Sequence, residues 1–264
     1  MTSPLLIERR GDTTLLTLNR PERRNALSPR LLEALLEALR APGPRPGAFV
    51  LTGAGVGFCA GGDLGASERA SGGAGDGEDG FFEQHRGRAA FAELLGALAS
   101  SPVPVIAAVN GDALGGGCGL AAACHLIVAD ERARFGTPEL KLGLFPWMIS
   151  PVLSRNLPRK IVMDMVLTGR RLSAIEARDL GLVNRVSAPG EALTGALALA
   201  EAVTAWSPAV VSMGLSALAA VEDLPLGPAL AHMHSQLSLN LMLEDAAEGI
   251  GAFLGRRPPE WKGR

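Results

Sequence analysis

An α/β body followed by a helical tail is the fold class this sequence predicts, on three observations. Apolar, β-prone runs at residues 49–52 and 103–109 each lead into a glycine cluster, and the second continues into an Ala-rich, helix-prone stretch at 119–124. Leu31, Leu32, Leu35, Leu36 and Leu39 recur at helical spacing and give that segment one apolar face. From residue 191 to 255 the pattern is helical, with breaks expected near Pro208, Pro225 and Pro228.

The chain's 264 residues leave room for a sizeable core. With 47% hydrophobic and 20% charged residues, the composition is that of a globular protein rather than a disordered one. A net charge of −2 and a pI near 6.1 give no electrostatic case for nucleic acid or a membrane surface, although local basic residues could meet a small phosphorylated ligand. Cys59, Cys118 and Cys124 have no paired spacing, which excludes a disulfide framework and fits a reducing compartment. His85, His125, His232 and His234 lack partners at ligand spacing, so no metal is expected. The N-terminus turns charged too soon for a signal peptide, and no apolar run has transmembrane length, so a cytoplasmic protein is expected.

Taken in order, residues 5–9 and 13–19 read as two strands around Arg10-Gly11-Asp12, the second alternating only in part. Ser28 is placed to cap a helix that has Pro29 as its first residue, and Arg40 and the Pro/Gly run 41–47 end it. Residues 65–80 are rich in glycine and acid and too poor in apolar side chains for a core, which predicts a loop. A helix follows over 81–98, with Phe82, Ala89, Phe91, Leu94, Leu95 and Leu98 as its apolar positions. Residues 126–129 read as a strand ending at Asp130, and 156–167 as a helix with Pro158 near its start. Ser173 and Glu176 fit a capping box, so a helix runs to about Leu180 and stops at Gly181.

Chemistry concentrates in NGDALGGGCGL, residues 110–120. A strand, a glycine turn and a helix start leave backbone N–H groups without partners, and glycine lets a ligand approach them closely. Such a place suits an anion or a developing oxyanion. The second cluster, GAGVGFCAGGD at 53–63, also follows a strand, and each cluster could supply one N–H to the same oxygen. Two other readings compete. GCGLAA at 117–122 fits a dinucleotide-binding G-x-G-x-x-A, but the next strand ends too soon for that unit. Cys118 near a helix start suggests a nucleophilic thiol, but no His lies in a matching motif.

FCAGGDL (58–64) and NGDALGGGC (110–118) resemble the two oxyanion-hole motifs of the crotonase superfamily, the enoyl-CoA hydratases and isomerases. PELKLGLFP (138–146) is similar to the segment that carries a catalytic Glu there, and TGRRLSAIEARDLGLVNRV (168–186) to a later signature. The resemblance implies a spiral of strand–strand–helix units over residues 1–200 that binds acyl-CoA. It implies a helical trimerisation region over 201–264, hence a homotrimer or a dimer of trimers. It places a thioester oxygen between the N–H groups of Gly62 and Gly116 and a catalytic carboxylate at Glu139. Arg24, with Arg23 a weaker candidate, would meet the CoA phosphates and the Ala60 carbonyl the adenine. Phe253 and Arg256 would reach CoA from the tail, often in a neighbouring subunit. No cofactor beyond the substrate's CoA is implied.

One departure matters. The family's hydratases carry a second Glu directly after GGGC, where this chain has Gly119. A single carboxylate suits a 3-enoyl to 2-enoyl isomerase, which is the favoured expectation. A hydratase with a replaced base stays open, with Asp63, Asp112, Glu78, Glu83 or His85 as the substitute, and so does an acyl-CoA-binding homologue without catalysis. Trp147 and Met148 would either line and shorten the acyl pocket or pack in the core.

Overall fold

The computed structural model describes residues 3–40, 47–63 and 78–264, the side chains of 78–87 excepted. Strands β1 (Leu5–Arg10) and β2 (Thr13–Leu18) form an antiparallel hairpin whose turn uses Gly11 at φ +60°. The sheet then continues in parallel through β3 (Ala48–Gly53), β4 (Val105–Val109), β6 (Leu126–Asp130) and β9 (Arg185–Ser187), in the order β1-β2-β3-β4-β6-β9. Every residue of β3 and β4 is buried, because a parallel strand covered on both faces needs apolar side chains on both. A second sheet joins β5 (Ala113–Leu114), β7 (Arg134–Gly136) and β8 (Arg171–Ser173).

One face of the large sheet packs on α1 (Pro29–Arg40) and α2 (Glu78–Ala99), the main core holding Leu31, Leu35, Leu94, Leu98, Leu51 and Val109. The Ser28 hydroxyl receives the Leu31 N–H at 3.4 Å, as the cap expected at that serine requires. The other face carries α7 (Ala192–Thr204), whose Ala196, Leu199 and Ala200 pack on Val50, Ile106, Ala108 and Val128. Short α3 (Gly116–Ala122) packs on α4 (Ile149–Asn156), followed by α5 (Arg159–Thr168) and α6 (Ala174–Asp179). The capping box at the start of α6 is formed on both sides, Ser173 to Glu176 and back. The tail is α8 (Pro208–Val221), α9 (Leu226–Asn240) and α10 (Glu244–Leu254), with α9 and α10 each packed on α8. No single helix among the described residues is long and apolar enough to cross a membrane.

Several local expectations change. Asn156 ends α4 instead of opening a helix, since Leu157, before Pro158, is extended at ψ 149° and Pro158 caps α5. Pro228 breaks nothing, because it lies in the first turn of α9, where its missing N–H has no helical partner to lose. The chain breaks instead between Leu241 and Leu243, ahead of α10. Glu78–Gly80, expected as loop, already belong to α2; residues 65–77 of that segment lie outside the described ones. Ala89, expected on the apolar face of α2, is exposed, and the Phe82 side chain is outside the description.

Candidate active site

The two glycine clusters meet. Cys59 and Ala113 form a parallel bridge, in which Cys59 N–H donates to the Asp112 carbonyl at 3.1 Å and Leu114 N–H to the Cys59 carbonyl at 2.9 Å. The approach admits no side chains: a Cβ on Gly117 would lie 2.2 Å from the Cys59 carbonyl oxygen. Gly61, at φ +94°, would bring a Cβ to 3.0 Å from the Leu114 oxygen and 3.1 Å from the Gly116 nitrogen. Gly62 sits in a second parallel bridge, opposite Leu27. Leu27 N–H donates to the Gly61 carbonyl at 2.8 Å and receives Asp63 N–H on its own carbonyl at 3.1 Å. That pattern turns the N–H of Gly62 itself away from Leu27. Gly116 is the first residue of α3, so its N–H has no helical acceptor. Among the described residues neither Gly62 N–H nor Gly116 N–H donates a hydrogen bond.

Glu139 comes to the same place on a 3-10 turn, Pro138–Leu142. The turn is anchored just ahead of its start: Gly115 N–H donates to the Gly136 carbonyl at 2.8 Å, and the buried Thr137 hydroxyl to the Met165 carbonyl at 3.0 Å. Glu139 Oε1 lies 2.8 Å from where a Cβ of Gly115 would be, and Gly115 has φ +54°, so position 115 suits only glycine. Glu139 Oε2 is buried and has no hydrogen-bond partner among the described residues. Burial pushes the carboxyl above its ordinary pKa, with a backbone hydrogen bond as a smaller opposing influence. A buried, unpaired carboxylate oxygen beside two free N–H donors is a signature of function rather than of stability.

Gly119 lies within α3, where a Cβ would meet Ile149 Cγ2 at 2.2 Å and Ile149 Cβ at 2.7 Å. Ile149, 3% exposed at the start of α4, fills the space a side chain at 119 would need. Trp147 is neither core nor buried lining: it is 74% exposed, its ring centroid 4.9 Å from that of Phe145. Met148 is half-buried against the core. Of the substitute bases, Asp63 is engaged by Arg20 at 2.7 Å, and Asp112 is half-buried, 3.6 Å from Arg171. The side chains of Glu78, Glu83 and His85 lie outside the description. Cys118 is buried and its thiol is pushed up to about 12 by burial and, secondarily, by the Glu139 charge, which disfavours a nucleophilic thiolate.

Ala60 N–H donates to the Arg24 carbonyl at 3.0 Å. Both residues line a cleft of about 810 Å³ with Thr52, Asn110 and Leu114, at the C-terminal ends of the parallel strands where open α/β sheets take their ligands. Arg23 and Arg24 are exposed. Phe253, 81% exposed, and Arg256, also exposed, stand at the end of α10, which packs on α8. One chain therefore gathers Gly62, Gly116 and Glu139, sets Ala60 beside Arg24, and leaves Phe253 and Arg256 on the surface of the tail.

Three residues escaped the sequence reading. Ile149 had no signal beyond its apolarity. Asn25, fully buried at φ +56°, donates from Nδ2 to the Ala54 and Gly57 carbonyls, both at 2.9 Å. Arg20 reaches Asp63 across the chain. An Asn following two arginines at a turn was the only visible hint of that frame.

A family model described as enoyl-CoA hydratase/isomerase matches residues 8–264. The chain is 37% identical over 263 residues to the enoyl-CoA hydratase EchA19 of Mycobacterium tuberculosis, covering 98% of this chain and 96% of the relative. Among solved structures, an enoyl-CoA hydratase of Mycobacterium smegmatis superposes with a TM-score of 0.89 at 36% identity, over 98% of both chains. One from Polaromonas sp. JS666 reaches 0.90 at 35% identity, over 98% of this chain and 99% of that one.

Proposed function

This chain belongs to the enoyl-CoA hydratase/isomerase family, and from that premise we propose that it shifts the double bond of an enoyl-CoA thioester between C3 and C2 through an enolate. The observation that carries the reading is Glu139, whose Oε2 has no hydrogen-bond partner among the described residues, with Ile149 filling the space a second acid at position 119 would need. The thioester oxygen sits between Gly62 N–H and Gly116 N–H. Glu139 takes a proton from C2, and the electron pair moves onto the thioester oxygen, where the two donors stabilise it. The enolate collapses, the double bond moves from C3–C4 to C2–C3, and Glu139 returns its proton at C4. A carboxyl with a raised pKa suits a group that both takes and gives a proton. Arg24 and Ala60 meet the CoA moiety, and no further cofactor is needed.

Hydration of 2-enoyl-CoA is the second reading, favoured by the names of the similar proteins. The test is a panel of 3-enoyl- and 2-enoyl-CoA esters with products identified by mass. Double-bond migration faster than water addition is expected. Fast water addition would replace this reading with the second, and bound ester without turnover would leave a binding protein.

The missing acid cannot simply be restored. Gly119→Glu alone is expected to overpack against Ile149, lowering stability by about 1–3 kcal/mol without raising hydration. Gly119→Glu combined with Ile149→Gly should hydrate 2-enoyl-CoA faster than wild type. Denaturant unfolding and product mass read the two effects, and faster hydration by the single variant would show that Ile149 yields.

We further propose that the tail assembles the chain into a trimer or a dimer of trimers. Leu226, Leu230, Met242, Ile250, Phe253 and Leu254 are all more than half exposed on α9, α10 and their junction. Light scattering should report a mass of three or six chains. Arg256→Ala should weaken CoA binding. A monomer with unchanged CoA affinity in the variant would remove both statements.

A further inference from the structure

An N–H donor works in an oxyanion hole only if its direction is fixed, and glycine is the residue least able to fix it. Gly62 is constrained from outside. Its neighbours on both sides are bonded to Leu27, through Gly61 carbonyl and Asp63 N–H. Behind them lies an ion pair: Arg20 Nη2 to Asp63 Oδ2 at 2.7 Å, with side chains only 18% and 6% exposed. The same guanidinium donates from Nη1 to the Ala26 carbonyl at 2.6 Å, so one side chain spans both segments of the Leu27–Gly62 bridge. Arg20 is itself braced: its N–H donates to Asn25 Oδ1 at 3.0 Å, and its carbonyl accepts Asn25 N–H at 2.8 Å. Asn25 in turn holds the carbonyls of Ala54 and Gly57. The frame runs without a gap from the Ala54 and Gly57 carbonyls to the backbone on either side of Gly62.

We propose that Arg20 and Asp63 are positioning residues that aim the Gly62 N–H at the enolate oxygen. They touch neither the reacting carbons nor CoA, and act through the backbone of residues 61–63. Charge-assisted bonds shielded from solvent are stronger and more directional than neutral ones, which suits a pair that holds a backbone direction. The inference rests on the oxyanion-hole reading above.

Removing one partner would leave the other as a shielded, unpaired charge, so the main variant removes both: Arg20→Gln with Asp63→Asn. Acetoacetyl-CoA is the probe, since its enolate has its own ultraviolet band and reports the hole directly; CoA alone reports the rest of the site. In wild type, bound acetoacetyl-CoA shows the enolate band. In the double variant the band weakens and kcat falls by about 10- to 100-fold, while Kd for CoA is unchanged. Arg20→Lys, which keeps one charged donor, recovers part of kcat. An undiminished band and kcat would overturn the positioning role, and so would an equal loss of CoA affinity. A wild type with neither the enolate band nor turnover of any enoyl-CoA would instead remove the oxyanion-hole reading itself, and this inference with it.

Discussion

Glu139→Gln should keep acyl-CoA binding and lose nearly all turnover, by about 10²- to 10⁴-fold in kcat. The amide has the shape of the carboxyl but cannot accept a proton, and of the described substitute acids Asp63 is paired with Arg20 and Asp112 lies 3.6 Å from Arg171. The pH dependence follows from the same burial. Glu139 in the folded chain holds its proton above the ordinary carboxylate value of 4.5, so as a base it is active only above that raised pKa. kcat/KM should therefore fall on the acid side with an apparent pKa above 4.5, and that limb should vanish in the variant's residual activity. Stability runs the other way. For an acid whose folded pKa is raised, the folded state binds more protons than the unfolded one between the two values, so stability falls as pH rises through that window. Glu139→Gln removes this penalty and should unfold at a higher temperature than wild type at neutral pH. Undiminished turnover, or an acid limb that persists in the variant, would assign the base elsewhere.

Gly116→Pro carries the second large effect. Gly116 is the first residue of α3, where proline is accommodated because that N–H has no helical partner. The substitution therefore deletes the proposed oxyanion donor and should leave the helix in place. Loss of one such donor corresponds to about 10²–10³ in kcat, or about 2.7–4 kcal/mol. Gly116→Ala separates the donor from the space it occupies. Its Cβ would meet Leu27 Cδ1 at 3.2 Å and Phe91 Cζ at 3.3 Å, two side-chain ends able to move by a few tenths of an ångström, and it keeps its N–H. The alanine variant should retain much more activity than the proline variant, with Kd for CoA nearly equal in the two. Equal losses would mean that crowding, not the missing donor, is responsible.

The sequence by itself determined the elements whose causes are local. The Ser28 cap of α1, the Ser173–Glu176 box and the strands that run into glycine turns each depend on residues within a few positions of one another, which is the range of helix periodicity and capping. It also singled out Gly62, Gly116 and Glu139 as candidates, because their residue types and order resemble family motifs. Only the tertiary structure decided what surrounds them. Trp147 faces outward while Ile149, two residues on, turns inward to fill the space beside Gly119, a result of how α4 lies on α3. Asn25 and Arg20 reach the backbone around Gly62 through partners such as Asp63, 43 residues away along the chain, brought near by the Leu27–Gly62 parallel bridge. Contacts at that separation are set by strand register and helix packing, which no short window of sequence encodes.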